Sequence, residues 1–394
     1  MAQVPEFSSP QLLLGHLADV YNYAVVDVNQ DGLPDLVGAV NNFYAEPGLQ
    51  GLRTLLQQDD GRLLTGPVVG GNLGQINDLI AADFDGDGVL DLVAGQTSNS
   101  GGGSFLFMGL PGGGYLEPEL LAMLPGYPFR YLARDMDGDE DLDLLVFNSR
   151  LMMLENLGDG EFSTPDTLST SVVYDMCEGD FDGDGDTDLA IRTIGTVGLL
   201  RNDGAGVWVE AGSLLLTSGR KICAVDADGD GDLDLVTDVS GDALVIWNSG
   251  GEFPFADTTA LGGLSGTPKA LMVCDVDGNG TQEILFADAS ANRFGYWPVD
   301  PLAEPHVGPA ETLFLMESAD GLKLADLDGD GRLDLLLTST VHGRLDVRRG
   351  LVTGFVAAEN RTAGACISGS GLILGDLDLD GDVDAVAATY SAFT

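Results

Sequence analysis

The chain has 394 residues, of which 44% are hydrophobic, so it is long enough to bury a large core. Its formal net charge is −46, from 63 acidic residues against 17 lysines and arginines. Because nucleic acids and anionic membrane surfaces both recruit basic patches, this balance argues against either as a partner. No apolar run reaches the roughly 18 residues that a transmembrane helix needs, so we expect no membrane insertion.

Along the chain, a Leu- and Val-rich stretch runs eight times into a loop of the type Asp-x-Asp-x-Asp-Gly-x-x-Asp, at spacings of 45 to 56 residues. A fixed period of this length is typical of repeat architectures, and we expect a single domain over residues 1–394. More than half of the acidic residues lie in these loops. We number the loops 1 to 8; they span 27–35, 83–91, 135–143, 180–188, 226–234, 275–283, 326–334 and 376–384.

Each repeat predicts four short strands. In the fourth repeat we expect strands at 172–175, 189–192, 198–201 and 207–216. The turn at 202–206 recurs in other repeats, and its Asn and Gly residues supply the positive φ values that tight hairpins need. Helical periodicity is absent, so the pattern indicates an all-β chain.

Repeats of four antiparallel strands with this period are the signature of a β-propeller. Loops 1 to 7 are each followed by a third and a fourth strand, whereas loop 8 is followed only by 385–390 and four more residues. The segment 4–14 resembles a fourth strand. We therefore predict eight four-stranded blades, closed by the N-terminal strand joining the last blade, with seven blades as the alternative. The third strand of the last blade is missing or truncated, so either the natural chain continues past Thr394 or a neighbouring molecule supplies a strand.

The loop pattern carries the chemistry of a calcium site. Carboxylates at the first, third and fifth positions turn their oxygens to one centre, glycine at the sixth permits a sharp bend, and the acidic ninth position adds the last ligand. Hard oxygen ligands in this number suit Ca²⁺, and up to eight structural ions are expected. The expected ligands are Asp27, Asn29, Asp31 and Asp35; Asp83, Asp85, Asp87 and Asp91; Asp135, Asp137, Asp139 and Asp143; Asp180, Asp182, Asp184 and Asp188; Asp226, Asp228, Asp230 and Asp234; Asp275, Asp277, Asn279 and Glu283; Asp326, Asp328, Asp330 and Asp334; and Asp376, Asp378, Asp380 and Asp384.

The eight loops are not equal. Asn29 replaces an aspartate in loop 1, which should weaken binding there without abolishing it. Loop 6 is the least acidic, with Asn279 and the longer Glu283, and we expect the weakest site there. Loop 3 has Glu140 where the bend favours glycine, at a cost of about 1 kcal/mol.

With these motifs the chain resembles the FG-GAP/VCBS repeat family, which includes the propeller of integrin α subunits. The resemblance covers almost the whole length. It implies that each ion-binding loop joins the innermost strand of a blade to the second strand, on one face of the disc. It also implies that a protein or carbohydrate ligand binds on the opposite face.

The residues typical of catalysis are sparse. His16, His306 and His342 stand in no metal-binding or triad spacing, and we expect loop or surface positions for them. Arg130 on the expected ligand face and the cluster Arg293, Tyr296 and Trp297 in the sixth repeat combine aromatic and basic chemistry, although packing is favoured for the cluster. Eight copies of one loop cannot all be an active site, so we predict that the chain is not an enzyme.

Together these features predict a calcium-stabilised extracellular β-propeller that acts as a protein- or carbohydrate-binding or adhesion module. Two alternatives remain: a structural subunit that self-assembles through the incomplete last blade, and a polysaccharide lyase or hydrolase. We expect a secreted or cell-surface protein, although these residues contain no signal peptide. Four cysteines are too few and too scattered for a disulfide framework, and we expect free thiols at Cys177, Cys223, Cys274 and Cys366.

Overall fold

The chain folds into antiparallel β-sheets in a propeller-like arrangement, as seen in a computed structural model. The part of the chain that the structure describes contains no helix, and so none long and apolar enough to cross a membrane. The described residues are 20–40, 51–58, 63–70, 73, 75–98, 101–124, 126, 128, 130–204, 206–250, 257–275, 281–315, 321–325, 334–339, 344–348, 350–351, 354–355, 359–361, 366–375 and 384–390.

Seven four-stranded sheets follow one another along the described chain, and we call them blades one to seven. In blades one to six, four consecutive strands pair in chain order, so each blade is an antiparallel meander. The strands of blades one to three are β1 (Val20–Val26), β2 (Asp35–Val40), β3 (Gly51–Gln57) and β4 (Leu63–Val69); β5 (Gln75–Ala82), β6 (Asp91–Ser98), β7 (Gly101–Phe107) and β8 (Glu119–Leu124); and β9 (Arg130–Arg134), β10 (Asp143–Phe147), β11 (Leu151–Leu154) and β12 (Asp166–Ser169). Those of blades four to six are β13 (Asp175–Gly179), β14 (Asp188–Arg192), β15 (Thr196–Asn202) and β16 (Trp208–Leu215); β17 (Ile222–Val225), β18 (Asp234–Val239), β19 (Asp242–Ile246) and β20 (Thr258–Ala260); and β21 (Ala270–Cys274), β22 (Glu283–Asp288), β23 (Arg293–Trp297) and β24 (Glu311–Leu315).

The last part of the chain departs from the simple meander. Blade seven contains β25 (Gly321–Ala325), β26 (Asp334–Ser339) and β27 (Arg344–Arg348), and its fourth strand is β30 (Glu359–Arg361). A short hairpin of β28 (Gly350–Leu351) and β29 (Gly354–Phe355) lies between them in the chain. Two further strands, β31 (Cys366–Gly375) and β32 (Asp384–Tyr390), form a two-stranded sheet. Strand β31 contacts β25 and β26 of blade seven and also β1 of blade one.

The core lies between the faces of successive blades. One hydrophobic cluster joins blades one and two through Val37 and Leu92, and another joins blades three and four through Leu145 and Leu189. The second strands of blades one to six are mostly buried where their burial is described, and every residue of β10, β14 and β22 is buried. This position explains why the Leu- and Val-rich runs, which have no alternating pattern, form strands.

The innermost strand of blade four begins later than expected. The sequence predicted a strand at 172–175, but β13 starts at Asp175 and ends at Gly179, directly before loop 4. All five residues of β13 are only half-buried. Because β13 itself contains Asp175, Glu178 and Gly179, the more hydrophobic segment 172–174 just before it was mistaken for the strand.

The predicted free thiols are confirmed for three of the four cysteines. Cys177, Cys223 and Cys274 form no disulfide, and burial raises the pKa of the Cys274 thiol to about 12. Burial also raises the pKa of Cys177 and of Cys223, both on innermost strands. Such thiols are poor nucleophiles at neutral pH.

Candidate metal centres

The acidic loops occupy the same place in every blade: each connects the first strand to the second. The residue at the ninth position is the first residue of the second strand in all eight repeats, from Asp35 in β2 to Asp384 in β32. Loops 1 to 5 lie wholly within the described residues. In loop 6 the structure describes only 275 and 281–283, and in loops 7 and 8 only Asp334 and Asp384.

Loop 4 shows how the backbone folds around the carboxylates. The two oxygens of Asp180 accept hydrogen bonds from the amides of Gly183 and Gly185, at 2.7 and 3.0 Å. Asp182 accepts one from the amide of Asp184 at 3.2 Å. Both glycines have positive φ, 78° and 97°, which brings the chain back toward Asp180. These hydrogen bonds and glycine bends thus fix the loop, and the carboxylate lone pairs that accept no amide stay in a preformed arrangement.

The residue at the ninth position is the most buried carboxylate in each of loops 1 to 5. Asp188 and Asp234 are 0% exposed, and each accepts two backbone amides, one from its own loop and one from the end of the third strand. Burial raises the pKa of Asp91, Asp143 and Asp188 to about 6 and that of Asp234 to about 7. The amide hydrogen bonds lower the pKa and the neighbouring loop carboxylates raise it again, so a nearby cation would stabilise the ionised form.

In each of four loops, the carboxylates of that loop converge on a centre of their own. In each of loops 2 to 5, three of them present oxygens that lie within 4.8 Å of one another. Ligand oxygens on opposite sides of one Ca²⁺ are separated by about 4.6–5.2 Å, so this span accommodates the ion. In loop 2, Oδ1 of Asp83 is buried without a hydrogen-bond partner among the described residues, as expected for an oxygen reserved for a cation. The groups are Asp83, Asp85 and Asp91; Asp135, Asp137 and Asp143; Asp180, Asp182 and Asp188; and Asp226, Asp228 and Asp230.

Three loops carry altered sequences, and the alterations have different consequences. Loop 1 is fully described but does not bring three carboxylates this close, and the Asn29 amide donates to Asp31 at 2.9 Å. In loop 3, Glu140 takes a φ of 76°, the left-handed conformation expected of the glycine it replaces. In loop 6, Glu283 is 2% exposed at the start of β22, although Asp277 and Asn279 lie outside the described residues.

An asparagine ladder connects each of three loops to the next blade. Asn156, Asn202 and Asn248 stand at or just beyond the end of the third strand and are at most 2% exposed. Each side-chain amide donates to the backbone carbonyl at the second loop position of the preceding blade: Phe84, Met136 and Phe181, at 2.8, 2.6 and 2.9 Å. Each also donates to a carbonyl of its own loop. The asparagines of these turns were predicted to supply positive φ values, but Asn156, Asn202 and Asn248 are not among the residues with positive φ. Instead, they join two acidic loops across a blade boundary.

Blade two achieves the same connection with backbone. Its corresponding residue is Gly109, whose amide donates to the ninth-position Asp91 at 2.7 Å. The missing side-chain amide is replaced by the amide of Gly114, which donates to the carbonyl of Val28 in loop 1 at 2.6 Å. Gly113 has a φ of 88°, and a Cβ there would lie 2.9 Å from the carbonyl oxygen of Asn29. The hairpin of blade two therefore packs directly on loop 1.

The repeat itself identifies the family. A family model described as FG-GAP-like repeat matches residues 27–94, 180–237, 226–286 and 326–387, which together make up more than half of the chain. The chain belongs to the FG-GAP-like repeat family. No curated protein matches the sequence significantly.

Solved structures similar to this FG-GAP chain share its fold at low sequence identity. An Agrocybe aegerita lectin, described for its recognition of non-reducing terminal N-acetylglucosamine, aligns with a TM-score of 0.56 at 15% identity, over 94% of this chain and 100% of its own. The V. cholerae biofilm matrix protein Bap1 aligns with a TM-score of 0.51 at 13% identity, over 95% and 86%. A putative 6-phosphogluconolactonase from Bacteroides uniformis aligns with a TM-score of 0.50 at 12% identity, over 91% and 100%.

Of the other residues singled out from the sequence, Arg130, Tyr296 and Trp297 make contacts outside the acidic loops. Arg130, half-exposed at the start of β9, forms an ion pair with Asp175 across the blade boundary at 3.5 Å. Trp297 is fully buried and its indole donates to the carbonyl of Gly262 at 3.0 Å, so packing is confirmed for it. Tyr296 donates its hydroxyl to Glu311. His306 lies in the hairpin of blade six, while His16 and His342 lie outside the described residues.

Proposed function

We propose that the chain is a calcium-stabilised, extracellular β-propeller that serves as a binding or adhesion module without catalysis. The observation that carries the calcium assignment is the repeated convergence of three carboxylates in loops 2 to 5, together with the unpaired Oδ1 of Asp83. The remaining residues of the eight loops named above are proposed as ligands by their equivalent positions. When bound, each ion would neutralise the carboxylates that burial and mutual repulsion otherwise destabilise.

The proposal includes eight blades in one closed domain over residues 1–394. Blades one to seven account for seven of them, and the sheet of β31 and β32 lies between blade seven and β1, where an eighth would stand. The N-terminal strand expected to complete this sheet falls outside the described residues. In a closed ring every blade packs against a neighbouring blade on each side, so no blade face is left without a partner, which favours closure.

The proposed role as a binding module draws on the similar structures. The lectin is described for sugar recognition and Bap1 as a biofilm matrix protein, so both a carbohydrate and a protein ligand are compatible with this fold. A secreted or cell-surface location agrees with the proposed ion, since extracellular calcium is plentiful and extracellular modules bind it with dissociation constants of about 10⁻⁴–10⁻³ M.

Chelation tests the calcium assignment. In excess EDTA the melting temperature should fall by more than about 5 °C, and added calcium should restore it, because a ligand bound only by the folded state stabilises it. Magnesium at the same concentration should restore much less, because its octahedral preference fits the loops poorly. A melting curve that does not change in EDTA contradicts the assignment.

Two other functions keep specific support. The two-stranded sheet of β31 and β32 could pair with a second chain, which would make the protein a self-assembling subunit; a constant monomer mass in light scattering over a wide concentration range counts against this. The second alternative is an enzyme, and the similarity to a protein named as a putative 6-phosphogluconolactonase is compatible with it. The enzyme class expected from the sequence is a polysaccharide lyase or hydrolase. Release of sugar product from a lactone or polysaccharide panel would replace the non-catalytic proposal.

A further inference from the structure

The hairpin between the third and fourth strands of blade six is enlarged. The equivalent hairpin of blade three closes with a bridge between Asn156 and Phe162, whereas that of blade six closes between Val299 and Val307. The extra residues lie on loop 5 of the preceding blade: a Cβ added at Gly229 would meet Pro301 at 2.8 Å. Blade six thus replaces the asparagine of the ladder with a longer hairpin that covers one side of loop 5.

A cavity of about 270 Å³ lies between this hairpin and blade five. Its walls come from Asp228 of loop 5, Trp247 and Thr259 of blade five, and Glu304 and His306 of the hairpin. The volume is just below the range of about 300–1,000 Å³ that holds drug-sized ligands, so a single ring-sized group fits and a folded element of a partner does not.

The cavity combines apolar surface with polar groups. The indole nitrogen of Trp247 donates to the hydroxyl of Thr259 at 2.9 Å, so its polar edge is satisfied and the rest of the ring offers apolar surface. His306 packs edge-on against this indole, with ring centroids 5.9 Å apart. Glu304, 3.3 Å from Nε2 of His306, keeps 85% of its side chain exposed and can accept hydrogen bonds.

The charges of the walls restrict the ligand. Among the described residues, no lysine or arginine lines the cavity, and Asp228 and Glu304 carry negative charge, so an anionic ligand is disfavoured. A cationic side chain over Trp247 would gain a cation–π contact. However, Asp228 belongs to the carboxylate group of loop 5, and one oxygen of Glu304 faces Nε2 of His306, so neither carboxylate is fully available to a cation. A neutral ligand with an apolar face and several hydroxyls satisfies these walls best.

We propose that this cavity binds one uncharged sugar ring, whose C–H face packs on Trp247 and whose hydroxyls bond to Thr259 and to Oε2 of Glu304, the oxygen that does not face His306. The inference rests on the proposed function as a calcium-stabilised binding module and names its ligand class. It also puts a binding site beside a metal loop, rather than on the opposite face as the sequence suggested.

The site is linked to calcium through Asp228. This residue stands at the third position of loop 5, in one group with Asp226 and Asp230, and it also lines the cavity. An ion in loop 5 fixes that wall, so calcium raises the sugar affinity, and the sugar raises the calcium affinity by the same factor.

Tryptophan fluorescence provides the test, because the chain has only three tryptophans. The full chain in calcium is titrated with glucose, galactose, mannose and N-acetylglucosamine, and separately with glucuronate and lysine methyl ester. At least one neutral sugar should change the emission with a millimolar dissociation constant, and the two charged probes should not. Trp247→Phe should weaken binding about tenfold or more, while the control Trp208→Phe, in β16 of blade four, should bind normally. EDTA should weaken binding about fivefold or more.

Each contrary result has a defined meaning. The cavity proposal fails if no neutral sugar binds at up to about 50 mM, if glucuronate or lysine methyl ester binds better, or if Trp247→Phe binds as tightly as the wild type. The melting curve of Trp247→Phe in calcium shows whether the variant is folded, and His306→Ala provides a second variant of the same cavity. If EDTA lowers the melting temperature while no sugar binds, the calcium assignment stands and the sugar site alone is refuted.

Discussion

The asparagine ladder allows a quantitative prediction for Asn202→Ala. The side chain is 2% exposed; it donates to the carbonyls of Met136 and Thr187 and accepts from the amide of Gly204. Three hydrogen bonds disappear, and in a site this buried water replaces them poorly. At about 1 kcal/mol for each bond, the free energy of unfolding should fall by about 3 kcal/mol. The loss should be larger than for an ordinary turn asparagine because two blades are affected.

Urea unfolding in saturating calcium, followed by far-ultraviolet circular dichroism, measures this loss. Ser213→Ala is the matched control, because Ser213 is exposed on β16 of the same blade and should change the free energy by less than about 0.5 kcal/mol. Asn156→Ala and Asn248→Ala remove the equivalent bonds and should cost similar amounts. If all three asparagine variants unfold within about 0.5 kcal/mol of the wild type, the ladder does not hold the blades together.

Three further predictions concern other blade boundaries. Gly113→Ala should cost about 1–3 kcal/mol because of its positive φ and the contact with loop 1, whereas Gly112→Ala, with nothing within 4 Å of the added Cβ, should cost almost nothing in thermal melts. Burial raises the pKa of Asp78 from 3.8 to about 6, so the stabilisation due to protonation is complete below pH 3.8 and is lost as the pH rises through 6. In urea titrations in calcium, the free energy of unfolding of the wild type should therefore fall by about 1 kcal/mol relative to that of Asp78→Asn between roughly pH 5 and pH 8. Equal pH profiles of the two proteins would contradict this prediction. Arg192, fully buried, donates to carbonyls of blades four and five beside Asp238, so Arg192→Met should cost about 3–5 kcal/mol, and adding Asp238→Asn should recover part of it in a double-mutant cycle.

The features that repeat in the sequence were predictable. The period and the acidic pattern placed all eight loops between the first and second strands, because each loop pattern is local and is flanked by unmistakable apolar runs. The left-handed bend at Glu140 followed from its place in the pattern. The start of β13 did not, because this strand contains polar residues and lacks the continuous apolar run by which strands are recognised.

Interactions between blades were not predictable from one repeat. The role of Asn202 depends on a carbonyl 66 residues earlier in the chain, and nothing local distinguishes it from a turn asparagine. A sign was present: Asn156, Asn202 and Asn248 recur at nearly the same distance after the ninth-position aspartate. The cavity was missed for a related reason, since it exists only because the hairpin of blade six is longer and meets Trp247 of another repeat.

The asparagine ladder also sets the order in which neighbouring blades can complete their folding during synthesis. The carbonyls of Phe84, Met136 and Phe181 receive their hydrogen bonds from residues 72, 66 and 67 positions downstream. During synthesis, which proceeds from the N-terminus, a metal loop is translated well before the residue that will fix it. Each of these three loops should therefore reach its final shape only after the next blade has been made, and the ion proposed for it should bind with a lag of about one repeat.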